Sequence, residues 1–140
     1  MDIYFAASIR GGRKFLEHYK KIVAYLVENG HNVLTEHIIR DDVFEYETQF
    51  TANEIFNRDI QWLNNSSCMI ADVSNPSLGV GYEICHALNR RIPTLCVFQN
   101  GSTVSQMIAG NNSSGLKLFE YKNFESLFKE ITHFIGSLDR

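Results

Sequence analysis

Two carboxylates and one glycine-rich turn carry the chemistry this sequence can do. Glu83 follows Pro76-Ser77-Leu78-Gly79-Val80-Gly81-Tyr82 and precedes the apolar segment Ile84 to Leu88. Glycines in such a stretch leave open space in front of an acidic side chain. The pattern puts Glu83 in the first turn of a helix that follows Gly81, where the macrodipole favours an anion. A glutamate titrates far enough below neutrality that partial burial leaves it ionised. It is then a nucleophile or base on a crevice floor, or an ordinary helix-start glutamate. Asp59 lies within the apolar stripe of Phe56, Ile60 and Leu63. A carboxylate there is paired, with Arg58 the nearest cation, or faces a wet cleft.

Ser8-Ile9-Arg10-Gly11-Gly12-Arg13 suits an anion. Glycines let backbone N–H groups approach a ligand, a helix start follows, and arginine forks match phosphate oxygens. The spacing is neither a Walker A loop nor G-x-G-x-x-G, so a phosphomonoester fits better than a triphosphate or dinucleotide. His37, in Thr35-Glu36-His37, and Asp72 are further polar candidates; Asp72 could bind a ligand or cap the next turn. The five histidines and three cysteines show no metal-ligand spacing, so neither metal nor cofactor is expected. Gly79-Val80-Gly81-Tyr82-Glu83 is not a serine-hydrolase elbow.

The elements that must position these groups alternate. Apolar Ile3 to Ala7 reads as a buried strand, and Arg13 to Glu28 has helical spacing ended by Asn29-Gly30. Val33 to Thr35 is a short strand. Residues 36–50 have no clean period and read as a long polar connection of the kind that forms lids. Thr51-Ala52-Asn53-Glu54 is a capping box for a helix reaching about Asn64. Cys68 to Val73 and Thr94 to Phe98 are strands. Thr103 to Ala109 is a short helix, Leu116 to Tyr121 a last strand, and Asn123 caps a final helix. Five strands alternating with helices give one α/β domain over residues 1–140. Its expected form is a doubly wound, flavodoxin- or Rossmann-like parallel sheet with helices on both faces. With strand order 2-1-3-4-5, the turns after the first and third strands face one crevice.

The 140 residues, 44% of them hydrophobic, suffice for one core without disulfides. A net charge of −3 argues against a nucleic-acid polymer as partner. No apolar run is long enough to span a bilayer. Three cysteines outside any paired spacing, and a start lacking signal-peptide character, predict a cytoplasmic location.

Five collinear stretches, IYFAASIRGGR, VLTEH, RDIQWL, ADVSNPSLGVGYE and SQMIAG, together resemble the 2′-deoxynucleoside 5′-phosphate N-hydrolases of the nucleoside 2-deoxyribosyltransferase superfamily. The resemblance covers nearly the whole chain. It implies a homodimer that cleaves the N-glycosidic bond of deoxynucleoside 5′-monophosphates to free base and 2-deoxyribose 5-phosphate. By motif, it implies Glu83 as nucleophile, Asp59 as the carboxylate assisting the leaving base, and Tyr4 beneath the 2′ position. Ser8, Ile9, Arg10, Gly11, Gly12 and Ser77, with Gly79, match the phosphate and sugar cradle, and His37 matches a histidine near the base. Ser105 and Met107 match a contribution from the neighbouring subunit. Asp72 stands where these hydrolases often carry glutamate, and Ala109 where an arginine is expected. Three alternatives stay open: a deoxyribosyltransferase acting on unphosphorylated nucleosides, a ribonucleotide (CMP-type) hydrolase, and a non-catalytic nucleotide-binding module. The anion turn speaks against the first. Tyr4, where the CMP-type enzymes tend to carry phenylalanine, speaks against the second, and the paired carboxylates against the third.

Overall fold

The computed structural model describes residues 1–139. Strand β1 (Asp2–Ala6) leads to helix α1 (Leu16–Glu28) and strand β2 (Asn32–Val33). Helices α2 (Val43–Glu47) and α3 (Ala52–Asn65) precede strand β3 (Cys68–Asp72) and helix α4 (Leu78–Asn89). Strand β4 (Thr94–Gln99), helix α5 (Gln106–Ala109), strand β5 (Leu116–Tyr121) and helix α6 (Phe124–Leu138) complete the chain. The sheet has the expected order β2-β1-β3-β4-β5, with every pairing parallel.

Strand parity divides the core. Successive strand side chains face opposite sides of a sheet. Ile3, Phe5, Cys68 and Ile70 therefore pack under α1 and α6, against Tyr19, Ile22 and Ile131 among others. Tyr4, Ala6, Met69 and Ala71 pack under α3 and α4 with Leu63 and Ile84. All five residues of β3 are buried, as a central parallel strand requires. A fully buried aliphatic chain contributes roughly 1.5–3 kcal/mol, so each helical layer is held by a few such residues. Tyr4 thus faces the α3–α4 layer, whereas Asp72 faces the other.

The sheet's switch point is tied from both sides. Asn75 Nδ2 donates to the carbonyls of Gly11 and Gly12 at 3.2 Å each, joining the turns after β1 and β3. A Cβ at Gly11 would lie 2.3 Å from the Pro76 carbonyl oxygen, so only hydrogen fits there. Thr35 extends the short β2 by its side chain: Oγ1 accepts from Phe5 N at 3.0 Å and donates to Phe5 O at 2.5 Å.

Three expectations change. Residues 36–50 are not an aperiodic lid: a 3-10 turn at Glu36–Ile39 and α2 order much of the segment. Its short apolar runs pack against the remainder of the protein, a tertiary signal invisible to periodicity. Helix α1 starts at Leu16, because residues up to Phe15 belong to the β1 turn. Helix α4 starts at Leu78, capped by Ser77 Oγ accepting from Val80 N at 3.2 Å, so both glycines of Gly79-Val80-Gly81 are helical. The capping box of α3 and the Asn123 cap of α6 are as expected. No helix among the described residues is long and apolar enough to cross a membrane.

Candidate active site

Tyr4, from β1, meets Asp59, from α3, and Glu83, from α4, in a cavity of about 220 Å³ at the switch point. Arg10 and Ser77 line the same cavity from the turns after β1 and β3, and His37 closes it beyond β2. It opens into an outer hollow of about 480 Å³ that shares Arg10, Glu47, Asp59, Gly79 and Glu83. The acidic end and the cationic end are therefore walls of one space. A larger hollow of about 520 Å³ lies between α4 and α5, lined by groups such as Leu78, Ile84 and Met107 with no carboxylate and no arginine. The carboxylates and the arginine meet in the smaller cavity.

The electrostatics of the acidic end are set by dehydration. Glu83 keeps part of its surface open to the cavity but is otherwise ringed by protein. Desolvation, then the like charge of Asp59, raises its pKa to about 8, against a smaller pull from the Tyr4 hydroxyl. Asp59 is also raised by burial, and Arg58 opposes that shift through an Nε–Oδ1 bond of 2.8 Å. Burial, followed by both carboxylates, raises the Tyr4 phenol well above its ordinary value, so it remains a hydroxyl donor. Glu83 is thus mostly protonated at pH 7, contrary to the expectation of an ionised side chain. The macrodipole argument falls away as well, because Glu83 lies in the second turn of α4, not the first. Two carboxylates sharing about one proton remain, an arrangement suited to paired acid and nucleophile roles.

The other expected groups divide. Ile9 and Gly79 line the cavity. A Cβ at Gly79 would meet nothing nearer than Ser77 Oγ at 3.9 Å, so its absence leaves the cavity open. Gly11 and Gly12 shape the β1 turn and hold the Asn75 bonds without lining the cavity. Ser8 is fully buried beneath Gly11, its hydroxyl without a partner. Asp72 is not in the cavity wall: strand parity turns it to the opposite face. There it accepts from Ser74 N at 2.9 Å and from the Tyr121 hydroxyl at 3.2 Å, the turn-capping alternative. Ser105 and Met107 stand outside, at the α5 hollow. Arg13 donates to the carbonyls of Ile38 (2.6 Å) and Arg40 (3.2 Å), and at 3.4 Å to that of Ser8, and does not line the cavity. It pins the 36–40 segment and leaves Arg10 as the cavity's cation. Among the described residues no cluster of histidine, cysteine or acidic groups has metal-binding geometry.

One contributor, Glu47, escapes a sequence reading. Glu47 is buried at 6% exposure in the cavity wall, its Oε1 3.7 Å from Arg58 Nη2. Arg58, besides holding Asp59, lies over the Trp62 ring. The Arg58–Asp59 pair was legible as an alternative to a site; in the structure pairing and cavity placement coexist. Burial, then Arg58 and Arg40, lower the pKa of His37 to about 4, so its ring is neutral at pH 7.

The sequence profile of the family described as nucleoside 2-deoxyribosyltransferase matches residues 3–125. A protein of Methanococcoides burtonii, named provisionally as a 2′-deoxynucleoside 5′-phosphate N-hydrolase, is 42% identical over 118 residues, 84% of this chain and 97% of the relative. A 5-hydroxymethyl-dUMP N-hydrolase of Danio rerio is 42% identical over 130 residues, 89% of this chain and 87% of the relative. Among solved structures, a CMP N-glycosidase of Clostridium botulinum superposes with a TM-score of 0.70 at 15% identity, covering 96% of this chain and 99% of the other. At that identity the likeness concerns the fold alone.

Proposed function

Because the chain belongs to the nucleoside 2-deoxyribosyltransferase family, with 2′-deoxynucleoside 5′-phosphate N-hydrolases among its relatives, we propose that it hydrolyses the N-glycosidic bond of 2′-deoxynucleoside 5′-monophosphates. The products are a free base and 2-deoxyribose 5-phosphate. One observation carries this reading: Glu83, Asp59 and Tyr4 stand in the same cavity as Arg10. A sugar phosphate spans those ends, its anomeric carbon at the carboxylates and its phosphate at the arginine. An unphosphorylated nucleoside would leave Arg10 without an anion, which favours the hydrolase over a transferase.

Departure of the base leaves an oxocarbenium-like sugar, which an adjacent anion stabilises and captures. The resting proton moves from Glu83 to Asp59 as that positive charge develops. Asp59 gives the proton to the leaving base, and the Glu83 carboxylate bonds to the anomeric carbon. Water then attacks that carbon from the vacated side; its hydroxide stays on the sugar, and its proton returns to the carboxylate pair as Glu83 departs. Tyr4 holds Glu83 from the sugar's 2′ side. Phosphate binding, remote from the reacting bond, orients the ring.

The enzyme acts as a homodimer, with Ser105 and Met107 of the partner subunit completing the site. Leu78 and Met107, exposed at 97% and 82%, support this, as does the apolar hollow beside them. Three free cysteines suit a reducing, cytoplasmic compartment. Incubation with each deoxynucleoside monophosphate, with and without a second free base, tests the reaction by chromatography. Hydrolysis yields 2-deoxyribose 5-phosphate whether or not a second base is present. A new nucleotide or nucleoside as main product would make the protein a transferase. Glu83→Ala should abolish base release; normal turnover would remove Glu83 as nucleophile.

A further inference from the structure

The cavity wall at Glu47 and His37, with Arg58 packed beside them, holds polar atoms that the reaction does not use. Glu47 Oε2 is a buried acceptor without a partner, and His37 Nδ1 and Arg58 Nη1 are buried and equally unpartnered. Buried polar groups are nearly always satisfied, so three in one place mark a site for something else. Their chemistry can be assigned. Arginine only donates, so the 3.3 Å contact from Arg58 Nη2 makes His37 Nε2 an acceptor. The neutral ring then carries its proton on Nδ1. Arg58 Nη2 also faces Glu47 Oε1 at 3.7 Å, leaving Oε2 free. Rings fix the arrangement: Arg58 lies over Phe50 and Trp62, and His37 packs against Tyr46 and Trp62. Both Glu47 and His37 line the cavity that holds Glu83.

We infer that Glu47 is a base-reading residue: its unpartnered carboxylate oxygen takes a nucleobase edge presenting an N–H. This rests on the proposed nucleotide substrate and deepens it. Arg58 is a positioning residue that holds Oε1 and the imidazole. An N–H in a carbonyl-flanked ring, as in a uracil- or guanine-type base, supplies the donor that Oε2 lacks. A base whose ring nitrogen is methylated leaves the buried carboxylate oxygen without its partner. That omission loses roughly ten- to hundredfold in affinity.

Calorimetry on the Glu83→Ala protein, which binds without turnover, tests the inference. The ligands are 2′-deoxyuridine and 2′-deoxyguanosine 5′-phosphates, their N3-methyl and N1-methyl analogues, and baseless 2-deoxyribose 5-phosphate. The tighter parent should lose at least tenfold on methylation. Adding Glu47→Gln keeps the shape but inverts the chemistry. Its amide oxygen must stay toward Arg58, so its NH2 replaces Oε2 and meets the base N–H donor to donor. The parent should then lose at least tenfold and methylation should cause no further loss, with 2-deoxyribose 5-phosphate affinity unchanged within twofold. Equal binding of parent and methylated analogue would overturn the inference. So would equal weakening of nucleotide and baseless phosphate by Glu47→Gln, the signature of a merely structural glutamate. If no nucleotide binds, both the base-reading role and the proposed substrate fail. If base release occurs without methyl discrimination, only the role of Glu47 fails.

Discussion

Replacing Glu83 with glutamine should stabilise the protein, and increasingly so as pH rises. The side chain has a pKa of about 8 in the folded cavity against 4.5 in its ordinary state, chiefly through dehydration and then through Asp59. The folded state therefore binds this proton more tightly than the unfolded chain, and stability falls with pH between the two values. Each pH unit in that window is worth 1.36 kcal/mol, so ionising Glu83 destabilises the fold by about 5 kcal/mol at most. Between pH 5 and pH 7 the loss amounts to about 3 kcal/mol; above pH 8 it levels off. Glu83→Gln removes the titration while preserving the shape. Urea unfolding of both proteins at pH 5, 7 and 9 gives the difference directly. The variant's advantage should grow by a few kcal/mol from pH 5 to pH 9. A difference that stays constant across that range would mean that Glu83 titrates as in water. The desolvation of Glu83 and the shared proton of the mechanism would then both be refuted.

The same shared proton predicts a kcat/KM profile with a basic limb near pH 8, falling about tenfold per pH unit above it; activity that climbs through pH 8 would exclude a protonated pair as the working form. Arg10→Ala should weaken binding of nucleotides at least tenfold while leaving nucleosides nearly unchanged, as compared by titration calorimetry; equal losses would move the phosphate elsewhere. Tyr4→Phe should raise kcat/KM for ribonucleotides relative to deoxyribonucleotides, and unchanged selectivity would place the sugar's 2′ carbon away from Tyr4. Gly11→Ala sets a methyl against the Pro76 carbonyl and should cost roughly 1–3 kcal/mol in a denaturant melt. A neutral result would mean that the two switch-point turns are not in close contact.

Local chemistry made much of the architecture legible. The Thr51–Glu54 capping box, the Asn123 cap and the β5 strand follow from residue types acting over a few positions. The sheet order follows from right-handed crossovers. Asp59 was identifiable because it sits within an apolar stripe, and Glu83 because a glycine-bearing stretch leads up to it. What escaped depends on contacts distant in sequence. Glu47 becomes a cavity wall only because α2 folds back on Arg58, in a different helix, and no periodicity in residues 36–50 announces this. Arg13 matches a phosphate ligand by type, yet two backbone carbonyls from another segment claim it. Asp72 was a matter of parity: one position earlier or later on β3 would have faced the other layer.

The two margins of the sheet have a further consequence. β2 offers two residues of ladder, too few to recruit a foreign strand, and β5 alternates its half-buried positions with exposed Lys117 and Glu120. Short or charged rims discourage edge-to-edge extension into larger sheets. Association between copies is thereby steered onto helical surfaces, where it can close as a pair instead of propagating.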